Sequence, residues 1–271
     1  MSGGAPVGDP VPSSHGGDRV LDLLRVQARL RAPDGCPWDR EQTHRTLARH
    51  LLEETHELLA AIDADDDEAI RDELGDLLLQ VTFHAQIAAE DNRWDIDDVA
   101  AGLVAKLVHR HPHVFGDAEV ADAGEVLVNW EKLKAQEGGG RAAVDADIPA
   151  SLPALARAAK VQRRAAGWGF TWRSVGQALA KLREEVEELA EATEDVDHAE
   201  AELGDVLLAA VAVGRMLGLD AESALRRATT RFATRAERTF ALASARGLDP
   251  EALSDAELLA LYRDAKDGSA S

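Results

Sequence analysis

Two stretches of this sequence carry the same carboxylate pattern. Glu53-Glu54-Thr55-His56-Glu57 is followed by Glu73-Leu74-Gly75-Asp76, and Glu184-Glu185-Val186-Glu187-Glu188 by Glu202-Leu203-Gly204-Asp205. The copies are offset by 131 residues at Glu54 and Glu185 and by 129 at Glu73 and Glu202. On a helix, residues three or four apart share a face, so each Glu-x-x-Glu and each Glu-x-x-Asp sends two carboxylates in one direction. At about 100° per residue, Glu54 falls between Leu51 and Leu58 of the apolar stripe, and Glu57 lies next to Ala61. These acids border the buried face, whereas Asp63 to Glu68 reads as a solvated turn. Four carboxylates beside a core repel one another and rise in pKa unless something compensates them. A hard divalent cation does so. All-oxygen ligation with retained waters suits Mg²⁺, which then usually takes phosphate oxygens as well. A single such run in an acidic helical protein is most often a solvated face. Both motifs, in order and twice, point instead to nucleotide or polyphosphate chemistry.

The elements that must position these acids are helices. Ala, Leu, Glu and Arg dominate, aromatic residues are 4% and β-branched runs are scarce, so an all-α fold is expected. Val175, Leu179, Leu182, Val186 and Leu189 draw one stripe down a helix behind Ser174 as N-cap. Comparable stretches run from His44 to Ile62, Glu68 to Ala89, Ile96 to Arg110, Ala199 to Leu217 and Ala221 to Ala245. The triglycine Gly138-Gly139-Gly140 and Pro149 break the pattern near the midpoint. The expected division is a disordered start over 1–17, one helical domain over 18–137, a linker over 138–152 and a second helical domain over 153–271.

The net charge of −20 repels phosphate backbones and acidic membranes, which argues against nucleic-acid binding. Val206 to Gly214, the most apolar stretch, is too short to cross a bilayer, and a cytoplasmic protein is expected. With Cys36 the only cysteine, no intrachain disulfide or cysteine-based metal site forms; its bland reading is a small packed residue near Trp38. His109, His111 and His113 alternate, but Pro112 breaks the helix there and favours a structural turn over a zinc site. Trp38 and Trp172 have two readings, a surface for stacking a nucleobase or the closure of a helical core.

From about Asp18 to Lys266 the chain resembles the MazG family of nucleoside triphosphate pyrophosphohydrolases, in its tandem all-α form. The resemblance rests on Cys36-Pro37-Trp38-Asp39, Gln42-Thr43-His44, Arg110-His111-Pro112-His113-Val114-Phe115-Gly116, Asn129-Trp130-Glu131 and Ser151-Leu152-Pro153-Ala154-Leu155, together with both carboxylate sets. It implies a Mg²⁺-dependent reaction, NTP + H₂O → NMP + pyrophosphate, with broad base tolerance and a role in limiting abnormal or excess nucleotides. By position it implies Glu185, Glu188, Glu202 and Asp205 as metal ligands in the second domain, and Glu54, Glu57, Glu73 and Asp76 in the first. Glu53 and Glu184 are candidates to position or deprotonate the attacking water, although no spacing argument establishes this.

Lys181, four residues before Glu185, and Arg231 with Arg235, four apart, can reach a triphosphate. Arg231 stands where the family often has lysine, and Tyr262 where a tryptophan can sit near the base. Lys106 and Arg110 repeat the spacing in the first domain, where His50 replaces Lys181. Lys134 resembles a family lysine important for activity. In the superfamily that the chain resembles the bundle is usually completed by a second copy, so the resemblance implies a homodimer, and the second domain is expected to contribute more of the activity. Two rival readings stay open: a narrower pyrimidine nucleotide pyrophosphatase, and a non-catalytic acidic adaptor that binds metal or nucleotide.

Overall fold

The computed structural model describes residues 18–118, 120, 122, 126 and 143–267; the expected disordered start, Lys134 and the triglycine lie outside them. The described residues form helices and no strand. The chain divides into two units, Met1–Glu137 and Gly138–Ser271.

The first unit contains α1 (Asp18–Arg31), α2 (Pro37–Glu41), α3 (His44–Ala64), α4 (Asp67–Glu90), α5 (Ile96–Arg110) and α6 (Pro112–Phe115). α3 starts at a capping box in which Thr43 and Thr46 satisfy each other's backbone N–H. It ends at Asp65, whose φ of 56° is the left-handed turn that lets α4 run back along it. Asp66 then caps α4 by accepting from the Ala69 N–H, so part of the run expected to be merely solvated is a helix start. α3 and α4 form the main hairpin, and α1 packs on α4. Leu47, Phe83 and Ile87 with Leu79 make its core, while Ala61, Ala85 and Ala88 allow close helix approach.

At one end of this unit Arg31 holds three segments together. Its Nη2 lies 2.7 Å from Glu90, its Nη1 donates to the carbonyls of Asp39 and Gln42, and its guanidinium covers the Phe83 ring. The hydrogen bond from Arg31 is the main reason Glu90 is held below the usual carboxylate range.

Beside it, Arg93 Nη2 lies 2.9 Å from His44 Nε2, and His44 Nδ1 lies 2.7 Å from His84 Nδ1. Arginine only donates, so His44 carries its proton on Nδ1 and donates to a neutral His84. Burial, and then His44, lower the His84 pKa below its ordinary 6.5. A histidine with a depressed folded pKa contributes stability that is fully present above 6.5 and is lost as pH falls through the folded value. The melting temperature is therefore expected to drop as pH falls from 8 to 5, with a shallower drop in His84→Phe; parallel profiles in a pH-dependent melting series would contradict this.

The second unit contains α7 (Ala154–Gly167), α8 (Val175–Glu191), α9 (Val196–Met216), α10 (Ala221–Ala245), a 3₁₀ turn (Pro250–Ala252) and α11 (Asp255–Asp267). Ser174 caps α8 as expected, and Asp195 and Asp220 cap α9 and α10. α8 and α9 repeat the α3–α4 hairpin; α7 packs on α9 and α10, and α11 on α10. The buried apolar residues here are mostly small, Ala178, Ala192, Ala212, Ala243 and Ala265 alongside Val211 and Leu261. Neither α7 nor α11 is among the expected helices. The stretch read as linker is partly folded: Ile148 is buried, and Arg164 donates to the Ala146 carbonyl.

Candidate active site

Each hairpin brings carboxylates from two antiparallel helices together. In the first unit Glu54 and Glu57 of α3 and Glu73 of α4 offer ligand atoms within 4.8 Å of one another. In the second unit Glu185 of α8 and Glu202 and Asp205 of α9 do the same. The structure thus gathers three acids of each expected four. Asp76 remains exposed at the edge of the first group and acts on it electrostatically. Glu188 is exposed and hydrogen-bonds Glu185 outside the second group.

Among the described residues no cation compensates the first group. Burial, then Asp76, Glu57 and Glu73, raise the Glu54 pKa, and burial with Glu57 and Asp76 raises that of Glu73. One oxygen of Glu73 is buried with no hydrogen-bond partner. His50 turns to Glu53, 3.1 Å away, with its ring edge-on to Trp38.

The second group has a cation. Lys181 Nζ lies 2.5 Å from Glu184, 2.8 Å from Glu185 and 4.0 Å from Glu188. Those hydrogen bonds hold the lysine well above its usual range, and Lys181 in turn keeps Glu185 low although Glu185 is buried. Hydrogen bonding to Glu185 raises Glu188. His198, four residues before Glu202, holds that carboxylate through Nε2 at 3.1 Å. The sequence carries the i, i+4 spacing of this pair, but nothing in it marks His198 for the site.

Residues 42–115 and 173–240, which contain the two hairpins, match the model of the MazG nucleotide pyrophosphohydrolase domain. The chain belongs to the MazG family. It is 45% identical over 239 residues to the nucleoside triphosphate pyrophosphohydrolase of Escherichia coli K12, covering 86% of this chain and 91% of that protein. It is 42% identical over 248 residues to the nucleoside triphosphate pyrophosphohydrolase/pyrophosphatase MazG of Thermotoga maritima, covering 91% and 95%. A shorter match, 44% over 156 residues, reaches the nucleoside triphosphate pyrophosphohydrolase of Mycobacterium tuberculosis H37Rv, covering 57% of this chain and 47% of that protein. Membership makes this MazG protein an enzyme and sets the adaptor reading aside.

The other candidate residues of this MazG chain are carried by elements outside the hairpin helices α3, α4, α8 and α9. Arg231 is exposed and Arg235 half-buried on α10; neither is among the groups that set the ionisation of Glu185. Tyr262 of α11 lies against Phe232 of α10, ring centroids 6.2 Å apart. Lys106 is exposed and Arg110 half-buried on α5, which packs on α4 and α6. Trp38 and Trp172 are 51% and 40% exposed, so neither closes a core. Cys36 is half-buried at the N-cap of α2. His111 ends α5 by donating through Nδ1 to the Leu107 carbonyl at 2.7 Å, and Pro112 starts α6. Among the described residues no helix is long and apolar enough to cross a membrane.

Proposed function

We propose that this protein is a Mg²⁺-dependent nucleoside triphosphate pyrophosphohydrolase of broad base tolerance that splits NTP into NMP and pyrophosphate and clears abnormal nucleotides in the cytoplasm. The observation that carries the reading is the pair of carboxylate trios, each within 4.8 Å and each built from two helices of a repeated hairpin. The donor set suits Mg²⁺: all ligands are carboxylate oxygens, and the buried, unpartnered oxygen of Glu73 lacks only a cation. Glu185, Glu202 and Asp205 would hold the ion in the second unit with Glu188 beside them, and Glu54, Glu57 and Glu73 in the first with Asp76. When bound, Mg²⁺ supplies charge neutralisation and orientation for the triphosphate.

The chain's own residues do the rest. Glu184 and Glu53, exposed next to the trios, take the proton of the attacking water or orient it. Lys181 releases the glutamates to meet phosphate oxygens, and Arg231, Arg235 and Tyr262 receive the nucleotide. In the first unit Lys106 and Arg110 do so, and Trp38 and Trp172 offer exposed faces for a base. Lys134, outside the described residues, is assigned an activity role by family resemblance alone. Gly75 and Gly204 support an approach from outside: a mid-helix glycine costs about 1 kcal/mol, yet a Cβ at either position would meet open space.

The test is product identification. Purified full-length protein with Mg²⁺ and a panel of common and modified NTPs should yield NMP and pyrophosphate in equal amounts, with kcat/KM varying modestly across bases. Orthophosphate as the product overturns the reading, and turnover confined to pyrimidine deoxynucleotides replaces it with the narrower one.

The homodimer belongs to the same proposal. On α5, Leu103, Val104, Leu107 and Val108 are all exposed, as are Leu225, Phe232 and Phe240 on α10. Apolar stripes of this kind call for a covering surface. Light scattering should give twice the chain mass of 29.1 kDa; a single chain mass would exclude the dimer.

A further inference from the structure

At the C-terminal end of α9 the second unit carries two arginines beside one carboxylate, Asp220. Arg215 donates through Nη2 to Thr171 Oγ1 at 3.1 Å, while its Nε is buried and has no hydrogen-bond partner. Arg163 of α7 is exposed and lines the same cavity of about 220 Å³, together with Val211, Leu219, Asp220 and Ala221. Among the described residues neither guanidinium forms an ion pair. Asp220 is already engaged, since its Oδ1 accepts from the Ser223 N–H at 2.6 Å and caps α10. A buried guanidinium N–H with nothing to donate to is costly, and native structures rarely leave one without a water or an ion.

The first unit shows how such a charge is met. There Arg31 ties down the loop before α3 through the carbonyls of Asp39 and Gln42, and Glu90 neutralises it at 2.7 Å. Arg215 likewise ties down the loop before α8, at Thr171 next to Trp172, but among the described residues it pairs with no acid.

We propose that the cavity between Arg163 and Arg215 binds a small oxyanion of the phosphate class, which takes the place that Glu90 fills in the first unit. Two guanidiniums present planar forks that match phosphate oxygens. The N-terminal end of α10, which borders the cavity at Ala221, adds its dipole. Of the apolar lining, Val211 is buried and Leu219 exposed, so the cavity is open to an anion from solvent. The bound anion completes the hydrogen bonding of Arg215 and so fixes the loop that carries Trp172. The site is independent of the pyrophosphohydrolase reading.

Calorimetric titration of the full-length protein in EDTA, with inorganic phosphate in one series and pyrophosphate in another, tests the site. One anion per chain is expected, with affinity reduced at least about tenfold by Arg163→Met and further by Arg215→Met, and unchanged by Lys181→Ala. Arg163 is exposed, so its replacement leaves folding intact and keeps the test valid whatever the replacement of Arg215, whose Nε is buried, does to the fold. The series that binds tighter tells a single phosphate from a diphosphate ligand. No binding without metal, or binding that survives Arg163→Met, overturns the site. Loss with Lys181→Ala instead places the anion among the carboxylates and overturns it as well.

Discussion

Glu185→Gln is expected to lower kcat/KM for pyrophosphate release by roughly 10²–10³-fold, with a much smaller loss from Glu54→Gln. Glutamine keeps the shape and the helix propensity of the side chain and removes only its charge. In the second unit that charge is central. Glu185 is 6% exposed, it joins Glu202 and Asp205 in one trio, and Lys181 at 2.8 Å keeps it ionised. The amide removes one anionic ligand and leaves Lys181 with Glu184 alone at short range. In the first unit the acids crowd one another without a lysine, and His50 turns to Glu53 instead, so a triphosphate arriving there finds less positive charge beside the trio. Steady-state kinetics on the two variants, with matched helical circular dichroism, decide the division of labour. Equal losses, or a larger loss from Glu54→Gln, would reverse the assignment.

The reason one unit is expected to dominate was legible in the sequence, because lysine at 181 faces histidine at 50 in the repeat. So were α3, α4, α8 and α9, whose apolar stripes carry a period of 3.6, and the start of α8 at Ser174; the caps at Thr43, Asp66 and Asp195 emerge only in the structure. Helical spacing says which acids share a face, but not how far apart two helices sit or which rotamers they select. That is why the convergence of three acids, with Asp76 and Glu188 to one side, had to come from coordinates. The contacts of Arg31 with Glu90 and of His44 with His84 and Arg93 join residues 59, 40 and 49 positions apart, beyond any local pattern. α7 directly follows the break at Pro149 and Pro153 and is absent from the expected helices, although its apolar and basic residues segregate to opposite faces. Arg231 and Arg235 match in spacing; α10 packs mainly on α11 and α7 and to a lesser extent on α9, which carries Glu202 and Asp205.

Lys181→Met gives the second large effect, and it separates two roles of one side chain. In the metal-free protein the ammonium is the internal counter-ion of Glu184 and Glu185, the largest influence on its own ionisation being the bond to Glu184. Methionine fills similar space and leaves Glu185 buried among other acids with no positive neighbour. The metal-free variant is therefore expected to melt earlier than the parent at neutral pH, and added Mg²⁺ to close most of that gap. Glu185 is depressed by Lys181, so its contribution is present above the ordinary carboxylate value of 4.5 and is lost as pH falls through its folded value. The melting difference between parent and variant should shrink accordingly in acid. With Mg²⁺ and substrate present the same substitution removes a phosphate partner, and KM for NTP is expected to rise while kcat/KM falls by about 10–100-fold. The reciprocal change, His50→Lys, places the same counter-ion in the first unit, at i−4 to Glu54. It should relieve the mutual repulsion of Glu54, Glu57 and Glu73 and raise the melting temperature without metal. If His50→Lys leaves metal-free stability unchanged while Lys181→Met lowers it, the asymmetry between the units lies in the surrounding helices and not in this one position.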